Sequence, residues 1–129
     1  MEGKGADSNK LESLLAQQIK DIYRQSLGQS LNNIHFQQFN LGLLIVLEGV
    51  TTTIEKLLDR NSYSSLSSQI RAEIDRLILP QIRDAIEQGV NKKIVDFLSD
   101  TTINSDVTGI IIIFGEKHQV ASQEIQTRK

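Results

Sequence analysis

The chain has no cysteine, a single proline and only two histidines in 129 residues. Without cysteine there is no disulfide, no thiolate metal site and no cysteine nucleophile, and redox logic is silent on the compartment. An excess of charge is lacking as well: the net charge is -2 and the pI about 5.6, which leaves no basic field for nucleic acid. Long hydrophobic runs are also missing. The two longest, Leu43 to Leu47 and Gly109 to Phe114, fall far short of the roughly 20 residues that span a bilayer. The opening MEGKGADSNKLES has no apolar core of the signal-peptide kind, so a cytoplasmic protein is expected. What is present is ordinary for a folded domain. Apolar residues make up 39% and charged residues 23%, enough to bury a core.

Residues 1–8 read as a loose tail, and residues 117–129 as a second, polar one that could hold a short helix over Val120 to Ile125. Between them, residues 9–116 read as one domain. Asn9 and Glu12 have capping-box spacing, and Leu11, Leu14, Leu15, Ile19, Ile22 and Tyr23 follow at helical intervals up to a stop at Gly28. Ile34 to Phe39 and Leu41 to Glu48 read as a hairpin whose second strand is apolar on both faces. Gly49 breaks that strand, and Thr52 with Glu55 forms another capping box ahead of Ile54, Leu57 and Leu58. A long helix over about Ser65 to Gln88 carries the stripe Leu66, Ile70, Ile74, Leu77, Ile78, Ile82, Ala85 and Ile86. Pro80 should kink it without breaking it, and Gly89 should stop it. Lys93 to Ser99 and Gly109 to Phe114 then read as two more strands, joined by a polar turn region over Asp100 to Thr108.

The expected fold class is therefore α+β in the order α-β-β-α-α-β-β. Two hairpins form a four-stranded antiparallel sheet, with two main helices packed on one of its faces. Strands apolar on both sides leave the opposite face in need of cover, and a homodimer through that surface is the natural remedy.

Candidate chemistry is sparse. His35 and His118 stand alone, without metal-ligand spacing. Asp96, Asp100 and Asp106 lack the pattern of a calcium loop, and turn propensity accounts for Asp100 and Asp106. No metal and no cofactor is implied. Arg71, Arg76 and Arg83 alternate with Glu73, Asp75 and Asp84, which reads as a solvated mixed face. The serines from Ser62 to Ser68 have no histidine to activate them and read as a cap region. The candidate ligand-binding residues are Glu48, Gly49, Thr51, Thr52 and Asp100. A glycine and threonine hydroxyls at a helix N-terminus suit an anion, although plain capping by Thr52 is the simpler account and Glu55 would repel an anion.

Several segments together carry a family resemblance. They are YRQSLG (Tyr23 to Gly28), LEGVTTTIEKLL (Leu47 to Leu58), Arg71 and Pro80, VNKKIVDFLSD (Val90 to Asp100), and the closing strand ending at Phe114. With these the chain resembles the MpsC-like family of small bacterial domains, from Leu11 to Glu116. The resemblance implies a component encoded alongside a cation-translocating, membrane-potential-generating system linked to inorganic-carbon uptake. It supplies no catalytic residues. Gln29, Ser30 and Leu31 stand where family members commonly carry an arginine-glycine-proline turn, and a proline common near Thr53 is missing. Any binding role of that arginine is then absent here.

The expectation is a non-enzymatic accessory or regulatory interaction module, homodimeric, with a protein partner that is itself membrane-associated. The alternative is a small-ligand or anion sensor that uses the turn from Gly49 to Glu55.

Overall fold

A computed structural model of the chain describes residues 2–115, with side chains from Asn9 onward. The elements are α1 (Glu2–Leu27), β1 (Asn33–Phe39), β2 (Gly42–Glu48), α2 (Thr53–Arg60), α3 (Ser64–Val90), β3 (Lys93–Thr102) and β4 (Val107–Gly115). This is the expected α-β-β-α-α-β-β order, and the four strands form one antiparallel sheet in the order β1-β2-β4-β3. The arrangement follows from polarity. β2 (GLLIVLE) and β4 (VTGIIIIFG) are the most apolar strands and sit side by side in the middle. The more polar β1 and β3 take the edges, where an exposed ladder is best blunted by polar side chains.

Strand alternation gives each face its own rows. Leu43, Ile45 and Leu47 of β2 and Ile110 and Ile112 of β4 point to one face and are buried there. The helices α1 and α3 cover them with Leu15, Ile19 and Tyr23 from the first and Ile74, Ile78, Ile82 and Ile86 from the second. Each such side chain taken fully out of water contributes about 1.5–3 kcal/mol, so this layer is where the stability lies.

Helix ends and crossings have local causes. At the end of α1, Gly28 takes φ 68° and the Gln29 N–H donates to the Tyr23 carbonyl, a left-handed stop as expected. Gly89 is not the stop of α3. A Cβ there would lie 2.9 Å from Leu15 Cδ2, so this glycine lets α1 approach α3, and the left-handed cap is Asn91 at φ 61°. The helix runs through Pro80 unbroken.

Other boundaries differ from expectation. The α1 helix begins at Glu2, inside the segment expected as a tail and ahead of the expected Asn9 cap, because each added residue gains a helical bond whether or not a cap stands nearby. The β3–β4 hairpin is longer than expected and turns only at 103–106, so Asp100 lies in a strand and not in the turn. Leu14, Leu66 and Leu77 are exposed, as are Ile54 and Leu57 of α2, because the inward line of each helix is narrower than its apolar stripe. Among the described residues no helix is long and apolar enough to cross a membrane. The expected tail at 117–129, with its possible helix and His118, lies outside the described residues.

Candidate functional site

The strand-turn-helix at residues 48–55 closes on itself. Gly49 takes φ 85°, and a Cβ there would meet the Asn32 backbone nitrogen at 2.9 Å, so only glycine fits. The capping box at the start of α2 is complete. The Thr52 hydroxyl accepts from the Glu55 N–H at 3.4 Å, and the Thr52 N–H donates to Glu55 Oε1 at 2.9 Å. One residue earlier, the Thr51 N–H donates to Asp106 Oδ1 at 2.7 Å, and the Gly49 N–H donates to the Asp106 carbonyl. The amide donors of Gly49, Thr51, Thr52 and Glu55 are thus engaged by groups of the chain itself.

Asp106 sits at φ 63° in the β3–β4 turn, with Lys56 Nζ 3.4 Å from its carboxylate. Burial pushes this carboxyl up, but the Thr51 N–H and the Lys56 ammonium outweigh burial and hold it below the usual range. A carboxylate depressed in the folded state stabilises above its unfolded pKa, and that contribution fades as pH falls through the folded value. Asp106→Asn should therefore lower the melting temperature at pH 7. The gap to the unaltered protein should close on acidification below about pH 4, as read from thermal unfolding across pH.

Behind the turn lies an ion pair that sequence inspection placed wrongly. Arg71 is 7% exposed and Glu55 0%, whereas Arg71 was expected on a solvated face. The guanidinium donates from Nε to Glu55 Oε2 and from Nη2 to Glu55 Oε1, both at 2.8 Å, and Nη2 also reaches the Val50 carbonyl at 3.1 Å. Asp75 receives the remaining arm at 3.3 Å, and the Ser67 hydroxyl donates to the Glu55 carbonyl at 3.2 Å. Burial opposes the charge on Arg71, but the Glu55 carboxylate more than offsets it and raises the pKa above the usual arginine value. Burial likewise raises the Tyr23 phenol beside this cluster to about 12, so it stays protonated. The signal was available, since Ser67, Arg71, Ile74, Ile78, Ile82 and Ile86 follow one another at helical steps and all point inward. Every charged group of the cluster has its partner, which makes it a clamp joining α2, α3 and the turn after β2.

The second face of the sheet is covered by nothing among the described residues. Register places Gln37, Leu44, Ile111 and Leu98 in one row across the four strands, and His35, Val46, Gly109 and Asp100 in the next. Ile111 is 41% exposed and Leu98 58%, and Leu44, Val46 and Ile113 are part-exposed beside them. Glu48 lies on this face, accepting from Asn33 Nδ2 at 2.9 Å and standing 3.1 Å from His35 Nε2. Bonds from Asn33 and His35 hold the Glu48 carboxyl below its ordinary value.

The candidate residues accordingly separate. Gly49, Thr51 and Thr52 are brought together around Asp106 and Glu55, while Glu48 and Asp100 lie on the open sheet face, Asp100 on β3 at its far edge. Among the described residues no group of histidine and carboxylate side chains could hold a metal ion.

A family model described as "Na+-translocating membrane potential-generating system (MpsC)" matches residues 7–116. No curated protein and no solved structure matches the chain.

Proposed function

The chain belongs to the MpsC family, and from that premise we propose that it is a non-enzymatic accessory module of a membrane-potential-generating system, working in the cytoplasm as a homodimer formed through the open sheet face. The observation that carries this is the apolar row of Leu44, Ile111 and Leu98 left uncovered on the sheet. Exposed apolar surface of this kind marks interaction sites.

A second copy suits the face better than an unrelated partner because the rows complement themselves. With a two-fold axis along the strands, between β2 and β4, each β1 lies over the partner's β3. His35 then faces an Asp100, and Val46 faces a Gly109, where a side chain would meet nothing within 4 Å. Face-to-face sheets pack with strands aligned to within about 30°, which preserves these rows near the axis. The helical layer is left outward on both protomers, with Ile54 and Leu57 of α2 available to a membrane-associated protein partner.

Light scattering and sedimentation equilibrium at micromolar concentration test the dimer. The full chain should run as a dimer, and Ile111→Asp should run as a folded monomer, with its dissociation constant raised about 100-fold or more. A clean monomer for the unaltered chain, or an unchanged dimer for Ile111→Asp, would overturn the interface.

A further inference from the structure

A cavity of about 570 Å³ opens at one end of the domain, between Leu11, Glu12 and Leu15 of α1, the end of α3 and the β1–β2 hairpin. Its apolar residues belong to the helix-covered side of the sheet, and its volume is that of a small-molecule site. Its floor is apolar and buried, formed by Leu15 and Leu43, and Phe36, Val90 and Phe114 make the walls. Lys92 and Lys93 stand exposed at its mouth, with Lys92 Nζ 5.7 Å from the centre of the Phe114 ring. Neither lysine makes an ion pair with a described residue. Among the described residues Glu12 is the only carboxylate lining the cavity, against two lysines.

We propose that this cavity binds a single-chain anionic amphiphile, with the acyl chain on the Leu15–Leu43 floor and the carboxylate at Lys92 and Lys93. The division of labour is physical. An apolar chain gains by leaving water for the Phe36 and Phe114 walls. A carboxylate gains nothing there, and is drawn instead to two exposed ammonium groups that no described carboxylate engages. The apolar part of the cavity, Leu15, Phe36, Leu43 and Phe114, lies on the side of the sheet opposite the Leu44–Ile111–Leu98 row, while register puts Lys93 and Gly115 at the end of the open face.

Titration calorimetry of the full chain with dodecanoate, held below its micellar concentration, tests it against dodecanol and dodecylamine. Dodecanoate should bind one per chain and more tightly than either. The double variant Lys92→Gln, Lys93→Gln should weaken dodecanoate about tenfold and leave dodecanol unchanged. Leu11→Trp, which places an indole at the cavity wall, should abolish binding of both while circular dichroism stays unaltered. No saturable dodecanoate binding, or equal affinity in the lysine double variant, would overturn the proposal. So would co-sedimentation with phosphatidylglycerol vesicles unaccompanied by dodecanoate binding, since that describes a membrane-surface patch in place of a cavity.

Discussion

Replacing Arg71 with alanine should destabilise the domain by about 3–5 kcal/mol, because it leaves the carboxylate of Glu55 buried without its counter-charge. Glu55 is 0% exposed, and Arg71 supplies its counter-charge through two bonds, besides a bond to the Val50 carbonyl. For a domain of this size the loss should lower the melting temperature by about 10 °C or more. Glu55→Gln should cost less, since the amide oxygen still accepts the Thr52 N–H, and Asp75 and Val50 still hold the guanidinium. A double variant carrying Glu55→Leu and Arg71→Met should recover most of the stability lost in Arg71→Ala. Apolar pairs of similar volume commonly replace a buried ion pair without net loss, although the cap at Thr52 would still be missed. Urea unfolding followed by circular dichroism would decide the matter. An Arg71→Ala protein within about 1 kcal/mol of the original would mean that the clamp is solvated and of little energetic weight.

Two glycines on adjacent strands should answer the same substitution in opposite ways. At Gly42 a Cβ would run into the Ile112 carbonyl oxygen and lie 2.8 Å from its carbon, both main-chain atoms of the neighbouring central strand. No side-chain rotation relieves that, so Gly42→Ala must push β2 away from β4 at the hairpin end of this central pair. The expected cost is on the order of 4 kcal/mol, with failure to fold the extreme result. At Gly109, two residues from Ile111 on β4, a Cβ would meet nothing within 4 Å, and φ is not in the left-handed region. Gly109→Ala should therefore leave the stability unchanged or raise it by about 0.4–1 kcal/mol, through reduced freedom of the unfolded chain. The pair is best compared by thermal unfolding of dilute protein, where self-association contributes least. A Gly42→Ala protein as stable as Gly109→Ala would show that β2 and β4 are less closely apposed than the register implies.

Where sequence inspection succeeded, the cause was local. The capping box at Thr52 and Glu55 needs only four consecutive residues, and it forms with both of its bonds. The left-handed stop at Gly28 likewise depends on its own turn. Asp100 was misplaced because aspartate favours turns, while the β3–β4 ladder continues past it to pair Thr102 with Val107. Gly89 was misread for a related reason: a glycine near a helix end looks like a stop, and only the approach of Leu15 from another helix shows its use.

Arg71 is the most instructive case. Its neighbours Glu73, Asp75 and Arg76 are charged, so local composition argued for a solvated face, and the inward step from Ser67 through Ile74 was outweighed. Its partner Glu55 lies sixteen residues away on another helix. No propensity or period within α3 encodes that distance.

The strand-turn-helix from Leu41 to Glu55 divides along the same line. By itself the sequence determined the element order, the glycine turn, the capped start of α2 and the apolar stripes that build the core, because alternation, helical period and capping are properties of neighbouring residues. Only the packing of the whole chain set β2 beside β4, and put Leu44, Val46 and Ile111 on a face that no described helix covers. It also decided that the carboxylate capping α2 is the one clamped by Arg71. Those relations join residues far apart in the chain, and they arise only when the buried layer has settled which faces meet.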